Sequence, residues 1–308
     1  MIWRLAREGV TETVSGPAVS DLDPNSKYIF SGSPGEERAS APLWNDALTS
    51  RAANCLEIIA QLERHVEVRS SGDVTKYALT SASDMDAIVG DGPTYIDISG
   101  LAHHVWAPLV RAALSRCASV KVVYFEPDSY KAHPSPSSTS QFALSTGFRG
   151  VEPIPGFANL VGPPSDVETL FVPFLGFEGP RARQVAMTLD PIPKTIAIVG
   201  LPGFRIDYPQ VTMSSNQDFL LENSANRHVR YARASCPFEA YSALAEIRRD
   251  NPGSYLYVAP LGTKPHALGA IWFALDNPSD TEIMYDHPTR MPGRTSGVGQ
   301  AHIYHLKS

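Results

Sequence analysis

The chain has 308 residues, 43% of them hydrophobic and 19% charged, which is globular composition and length enough for one large domain or two medium ones. A formal charge of -6 excludes a global basic field that would draw the whole molecule onto nucleic acid or anionic lipid, so any polyanion must be met locally. The cysteines Cys55, Cys117 and Cys236 are odd in number and far apart, which excludes a disulfide framework and a CxxC metal pair and marks them as reduced, mostly buried thiols in helix-like segments.

Short apolar, β-rich runs recur along the chain. Most are followed by a Gly/Ser/Pro turn and a stretch of 3.6-residue periodicity, the pattern of βα units and a largely parallel sheet. Lys27 to Ser31 predicts a strand, Ala47 to Glu63 mainly helix, and His65 to Arg69 the next strand. Tyr95 to Ser99 predicts a strand, His103 to Arg116 a helix, and Val120 to Phe125 another strand. Between about Pro127 and Asp166 the pattern dissolves into Pro, Ser and Gly, which reads as a long loop or an inter-domain connection.

The alternation then restarts. Strands are predicted over Glu168 to Phe174, Thr195 to Val199, His228 to Arg233, Ser254 to Ala259, Thr281 to Tyr285 and His302 to Leu306. Helices are predicted over Pro180 to Leu189, Gln217 to Glu222, Pro237 to Arg249 and Lys264 to Leu275. The expected fold class is α/β, with two Rossmann-like halves whose largely parallel sheets are flanked by helices, one spanning residues 1–150 and the other residues 166–308. No signal-peptide stretch opens the sequence and no window approaches ~18 consecutive apolar residues, so a cytoplasmic protein without membrane association is expected.

Ligands of open α/β sheets bind outside the carboxyl ends of the strands, so the βα turns are where chemistry is sought. In Tyr255-Leu-Tyr-Val-Ala-Pro-Leu-Gly-Thr-Lys-Pro-His an apolar strand turns directly into a helix. Gly262 permits close backbone approach, Thr263 can cap the helix with its hydroxyl, and Pro265 suits the first helical turn. The turn's N–H groups, the helix dipole and the Lys264 ammonium would make a small anion site; the same residues also describe a well-capped helix with an exposed lysine. The GxxxxGK[ST] spacing of a Walker A loop is missing, and no GxGxxG follows an N-terminal strand.

Tyr95-Ile-Asp-Ile-Ser-Gly-Leu-Ala-His-His puts Asp97 in a strand, Ser99 just after it, and His103 and His104 at a helix start. Asp97 could hold a ribose hydroxyl or a base edge, or bond to neighbouring turn amides, and Ser99 could cap the helix. The turn Ser31 to Ser40 offers serines and glycines for a phosphate, with Arg38 over it and Glu36 and Glu37 opposing, or else serves packing between the halves. Arg181, Arg183 and Arg205 lie beside glycine turns at strand ends, with a solvated helix face as the default for the first two. The tail from Asp286 to Gly299 carries Arg290 and Arg294 among three glycines, which describes either a flap over a ligand or an irregular hairpin loop. No GxSxG, HExxH, zinc-deaminase or kinase signature occurs. His266, in the first turn after Gly262, is the best single acid or base, with a structural cap as its other reading.

The turn PLGTKPHALGA resembles the Gly-Thr-Lys-Pro strand-to-helix turn of CARF and SAVED-type Rossmann-like sensor domains, which belong to prokaryotic antiviral defence and recognise cyclic oligonucleotides. The segments YIDISGLAHHVWAPLVRAAL and FLGFEGPRA are similar to bacterial proteins of such systems. The resemblance covers the second half well and the first loosely. It implies that Gly262, Thr263 and Lys264 meet ligand phosphate, with Ser99 and Asp97 less securely matched. No effector nuclease, protease or helix-turn-helix region is recognisable after the second half, so a sensor of this kind would act through an effector or operon-encoded partner, a homodimer, or its own first half. The expected function is therefore a sensor of a nucleotide or cyclic oligonucleotide, with Arg290 and Arg294 closing from the tail and no cofactor or metal. The alternatives are a nucleotide phosphodiesterase or glycosidase with Asp97 and His266 as acid and base, and a structural docking subunit.

Overall fold

The computed structural model describes residues 9–32, 35–117, 119–159, 161–191 and 193–306. The chain is α/β, and it forms two compact units, one made of Gly9–Tyr130 with the tail from Pro292, the other of Lys131–Met291. We call them the N-terminal unit and the inserted unit.

The N-terminal unit begins with β1 (Val10–Val14), β2 (Lys27–Ser31), α1 (Pro42–Ser50), β3 (Cys55–Gln61) and the hairpin β4 (His65–Ser70) and β5 (Asp73–Ala78). It continues through α2 (Ala82–Val89), β6 (Thr94–Asp97), α3 (His103–Arg116), β7 (Val120–Phe125) and the short β8 (Ser129–Tyr130). The inserted unit opens with β9 (Ala132–Ser137), β10 (Ser140–Phe142) and β11 (Ser145–Phe148). Its α/β part is β12 (Thr169–Phe174), α4 (Gly179–Ala186), β13 (Lys194–Thr195), β14 (Ala197–Gly200), α5 (Tyr208–Ser215), α6 (Gln217–Glu222), β15 (Val229–Ala232), α7 (Pro237–Asp250), β16 (Tyr255–Pro260), α8 (Lys264–Asp276) and β17 (Thr281–Ile283), closed by β18 (Pro288–Arg290). The tail supplies β19 (Thr295–Ser296) and β20 (Ala301–Leu306) to the N-terminal unit.

The tail changes the expected domain organisation. β20 pairs antiparallel with β7 and β1, so the strand expected in the second half completes the first sheet, in the order β1-β20-β7-β6-β2-β3-β4-β5. Only the β7-β6-β2-β3 centre of that sheet is parallel. The helix expected over Ala47 to Glu63 also divides: α1 ends at Ser50, and Cys55–Gln61 is a strand beside β2. An apolar run such as Cys-Leu-Glu-Ile-Ile-Ala does not separate helix from strand by periodicity, and the open flank of β2 decides it. Of the cysteines, Cys55 opens a strand, Cys117 follows the last turn of α3, and Cys236 caps α7; all three are free thiols.

The inserted unit has the order β15-β14-β12-β16-β17, with every one of these neighbours parallel. In order of appearance that is third, second, first, fourth, fifth, the arrangement of a Rossmann half. Right-handed crossovers put α4, α5 and α6 on one face and α7 and α8 on the other. Covered on both sides, the strands read as continuous apolar runs: Leu170, Phe171, Val172 and Phe174 of β12 and Leu256 and Val258 of β16 are fully buried.

The chain leaves β12 and β16, the two central neighbours, on opposite sides, which opens a topological switch point at their carboxyl ends. There the two turns nearly touch: a Cβ on Gly176 would lie 2.6 Å from the Leu261 carbonyl oxygen, and one on Gly262 would lie 2.9 Å from that of Leu175. Both obstacles are backbone and cannot rotate away. Gly176→Ala should therefore destabilise the fold by about 1–3 kcal/mol, the range for overpacking, seen as a lower urea midpoint at unchanged slope. A midpoint equal to that of the parent would show that the turns are not held at this spacing.

Candidate functional site

The switch point of the inserted unit is built from three turns. After β16, the Thr263 hydroxyl donates to the Ala234 carbonyl at 2.6 Å and accepts from the His266 amide at 3.3 Å, so it caps α8 as its sequence position requires. The Gly262 and Thr263 amides, at the positive end of a 13-residue helix, donate to no protein acceptor among the described residues, and both residues are half-buried. Lys264, the first residue of α8, is buried, unlike the exposed lysine of the cap-only reading.

After β12 comes Gly176-Phe177-Glu178 and then α4, which carries Arg181. The Arg181 guanidinium makes a bidentate pair with Asp286, Nε to Oδ2 and Nη2 to Oδ1 both at 2.7 Å, and its Nη1 reaches the Leu261 carbonyl at 3.4 Å. Asp286, beyond the end of β17, is completely buried. Burial opposes the Arg181 charge, but the hydrogen bonds and charge of Asp286 outweigh it and raise the guanidinium pKa. One residue thus ties together the turns after β12, β16 and β17, and a solvated helix face is ruled out for Arg181. Arg183 does lie on the surface, paired with Glu222.

A third element runs beside these turns. β11 pairs antiparallel with β18, and the Glu178 carboxylate oxygen Oε1 accepts from the Ser145 amide at 2.9 Å, the Ser145 hydroxyl at 2.6 Å and the Leu144 amide at 3.3 Å. This strap lies in the stretch that sequence periodicity leaves as loop. Arg290 sits in β18 opposite Ser145.

The remaining expected site residues other than His266 belong to the N-terminal unit. Arg294 belongs to the N-terminal unit, where Nε and Nη2 bind Glu36 Oε1 at 2.8 and 2.5 Å, and the same carboxylate takes the buried Arg38 through Oε2. Arg38 also donates to the Tyr124 hydroxyl and the Phe125 carbonyl. Asp97 is fully buried and accepts from the Trp44 indole at 2.6 Å and from the Ser99 amide at 2.7 Å, the turn-amide bond expected of it. Ser99 accepts from the Phe125 amide and does not cap α3, whose N-cap is Ala102. In the turn Ser31 to Ser40, Ser33 and Pro34 lie outside the described residues. Among the described residues no group of His, Cys, Asp and Glu is placed to hold a metal ion, and no helix is long and apolar enough to cross a membrane.

His266 is 1% exposed, packs against Phe174, and holds the Arg233 carbonyl through Nε2 at 3.0 Å. Burial outweighs that bond and pulls its pKa down from 6.5 to about 4. Asp97 and His266 belong to different units, and each is engaged within its own.

Two outcomes follow for stability. Asp286→Asn should cost about 3–5 kcal/mol in urea denaturation by leaving a buried guanidinium without its counter-charge, and adding Arg181→Met should recover most of it; equal loss in both variants would refute the pairing. Between pH 6.5 and about 4 the unfolded chain binds a proton at His266 that the folded chain does not, so stability is complete above pH 6.5 and is lost as the pH falls through that window, by at most about 3 kcal/mol. His287, also lowered by burial, adds to the slope. The parent-minus-His266→Gln difference isolates the larger part, and identical pH profiles would contradict it.

Compared with known proteins, the chain matches no family model and no curated protein.

Proposed function

We propose that the inserted unit binds a phosphate-bearing ligand, a nucleotide or cyclic oligonucleotide, at the switch point between β12 and β16, and that the protein is the sensing or regulatory component of a prokaryotic antiviral defence system. The observation that carries the binding site is the pair of open amides of Gly262 and Thr263 at the start of α8, where Gly176 and Gly262 bring two backbones together. Backbone N–H groups at a helix N-terminus, in the crevice outside parallel strands, are suited to an anion by both hydrogen bonding and dipole. Lys264, beside them in the first turn, adds a full positive charge.

The resemblance of PLGTKPHALGA to cyclic-oligonucleotide sensor domains supports the ligand class and the defence role. Binding would be transmitted to an effector or operon-encoded partner, or through a homodimer. The work assigned here is binding rather than turnover. His266, buried with a pKa near 4, is not an acid or base poised near neutral pH, and the Asp97 carboxylate is held by Trp44 and Ser99. Arg181 is committed to Asp286 and supports the site from behind.

Isothermal titration with inorganic phosphate and with AMP tests the reading. Lys264→Met keeps the buried apolar stem and removes the charge; it should weaken both ligands by about 1.5–3 kcal/mol, roughly ten- to hundredfold, with the fold intact by circular dichroism. Unchanged affinity in a folded Lys264→Met protein would overturn the assignment.

A further inference from the structure

We infer that the outer edge of β15 is a docking surface for an extended acidic segment of a partner protein, which joins the sheet of the inserted unit as a further strand. Neither this surface nor the phosphate site depends on the other.

β15 ends the order β15-β14-β12-β16-β17 and pairs with β14 alone. In a ladder, alternate residues of a strand bond to the neighbour on one side. The Leu201 amide donates to the Ala232 carbonyl at 2.8 Å, and Ala232 stands opposite Gly200. Ala232 and Arg230 therefore serve β14, and the N–H and C=O groups of Val229 and Tyr231 point the other way. No described residue meets them there. The end of the strand is held firmly, because the Arg233 carbonyl accepts from His266 Nε2 at 3.0 Å and the Ala234 carbonyl from the Thr263 hydroxyl at 2.6 Å.

The side chains along this edge share one sign of charge. From Asn223 to Phe238 there is no Asp or Glu, and the stretch carries Arg227, Arg230 and Arg233, all exposed, in a chain whose net charge is -6. Arg227 has no acidic partner among the described residues. Arg230 and Arg233 stand 3.5 and 3.4 Å from Asp250 and Glu239, exposed pairs of a kind that contributes little stability. Tyr231 is 55% exposed, and its ring meets no other ring among the described residues. Tyrosine and arginine are the types enriched where proteins meet. The other outer strands differ: β1 carries Glu12, β17 carries Glu282, and β5 carries both Asp73 and Lys76.

This chemistry selects the occupant. A second copy paired through the same edge about a two-fold axis would set three arginines against the same three, and facing like charges are destabilising. A nucleic-acid strand would meet the arginines but has no alternation of donors and acceptors to match Val229 and Tyr231. An extended peptide supplies that alternation, and acidic side chains on it supply the complementary charge.

Fluorescence anisotropy of the full chain with a labelled peptide of alternating Glu and Val tests the surface. The peptide should bind, and both its Lys-Val counterpart and the same Glu-Val peptide methylated on its backbone nitrogens should bind about tenfold or more weakly. Tyr231→Pro removes an N–H that β14 does not use and should weaken the Glu-Val peptide to the same extent, with the circular dichroism spectrum unchanged. Arg227→Glu combined with Arg230→Glu, both surface changes, should reverse the preference towards the Lys-Val peptide. No binding of the Glu-Val peptide, equal affinity for the two peptides, or Glu-Val binding that persists in folded Tyr231→Pro would overturn the surface. Binding of a single-stranded thymidine oligonucleotide in place of the peptide, or self-association of the chain that Tyr231→Pro abolishes, would overturn the assigned occupant.

Discussion

Everything about the candidate site depends on two backbones being allowed to approach where a parallel sheet divides. β12 and β16 are hydrogen-bonded neighbours, but the chain leaves them in opposite directions, so their turns must part within a few ångströms of the last shared rung, Phe174 opposite Pro260. Residues 176 and 262 are glycine because each faces the carbonyl group of the other turn. With side chains there, the turns would separate, the start of α8 would tilt away from the start of α4, and the open amides of Gly262 and Thr263 would no longer lie in the crevice. The arginine–carboxylate pair of Arg181 and Asp286 enforces the same closeness from the other side. A buried, bidentate ion pair contributes little net stability once desolvation is counted, but it is strongly directional. Its value here is positional.

Much of this was legible in the sequence. Gly-Thr-Lys-Pro after an apolar run carries a helix start in its residue types, and Thr263 caps α8 as those residues require. Strands β2, β6, β7, β12 and β16 and helices α3, α7 and α8 follow apolar runs or periodicity that local composition encodes. What local composition does not encode is pairing between distant segments. The His302 to Leu306 run reads equally well as a strand of either sheet, and its place beside β7 is set by a flank some 180 residues away in the chain. Arg181 showed the same limit: beside glycines it looks solvated, and only the fold brings it to Asp286.

The two units deal with the same topological opportunity in opposite ways, which argues for placing ligand binding in one of them. In the N-terminal unit the parallel strands also reverse direction, between β2 and β6, but its own side chains occupy the polar groups there. Gln61 bonds to Ser31, to the Gly100 carbonyl and to the Ala102 amide. Asp97 takes the Trp44 indole, Ser99 takes the Phe125 amide, and Glu36 holds both Arg38 and Arg294. Breaking these bonds would leave buried groups unpaired, at a cost of about 1–3 kcal/mol for each neutral group and more for the charges of Asp97, Glu36 and Arg38. At the start of α8 no protein acceptor among the described residues meets the Gly262 and Thr263 amides. This contrast supports the proposal of a ligand site in the inserted unit rather than in the N-terminal unit, whose polar groups at the sheet end are taken up within the unit and whose sheet takes a strand from the tail.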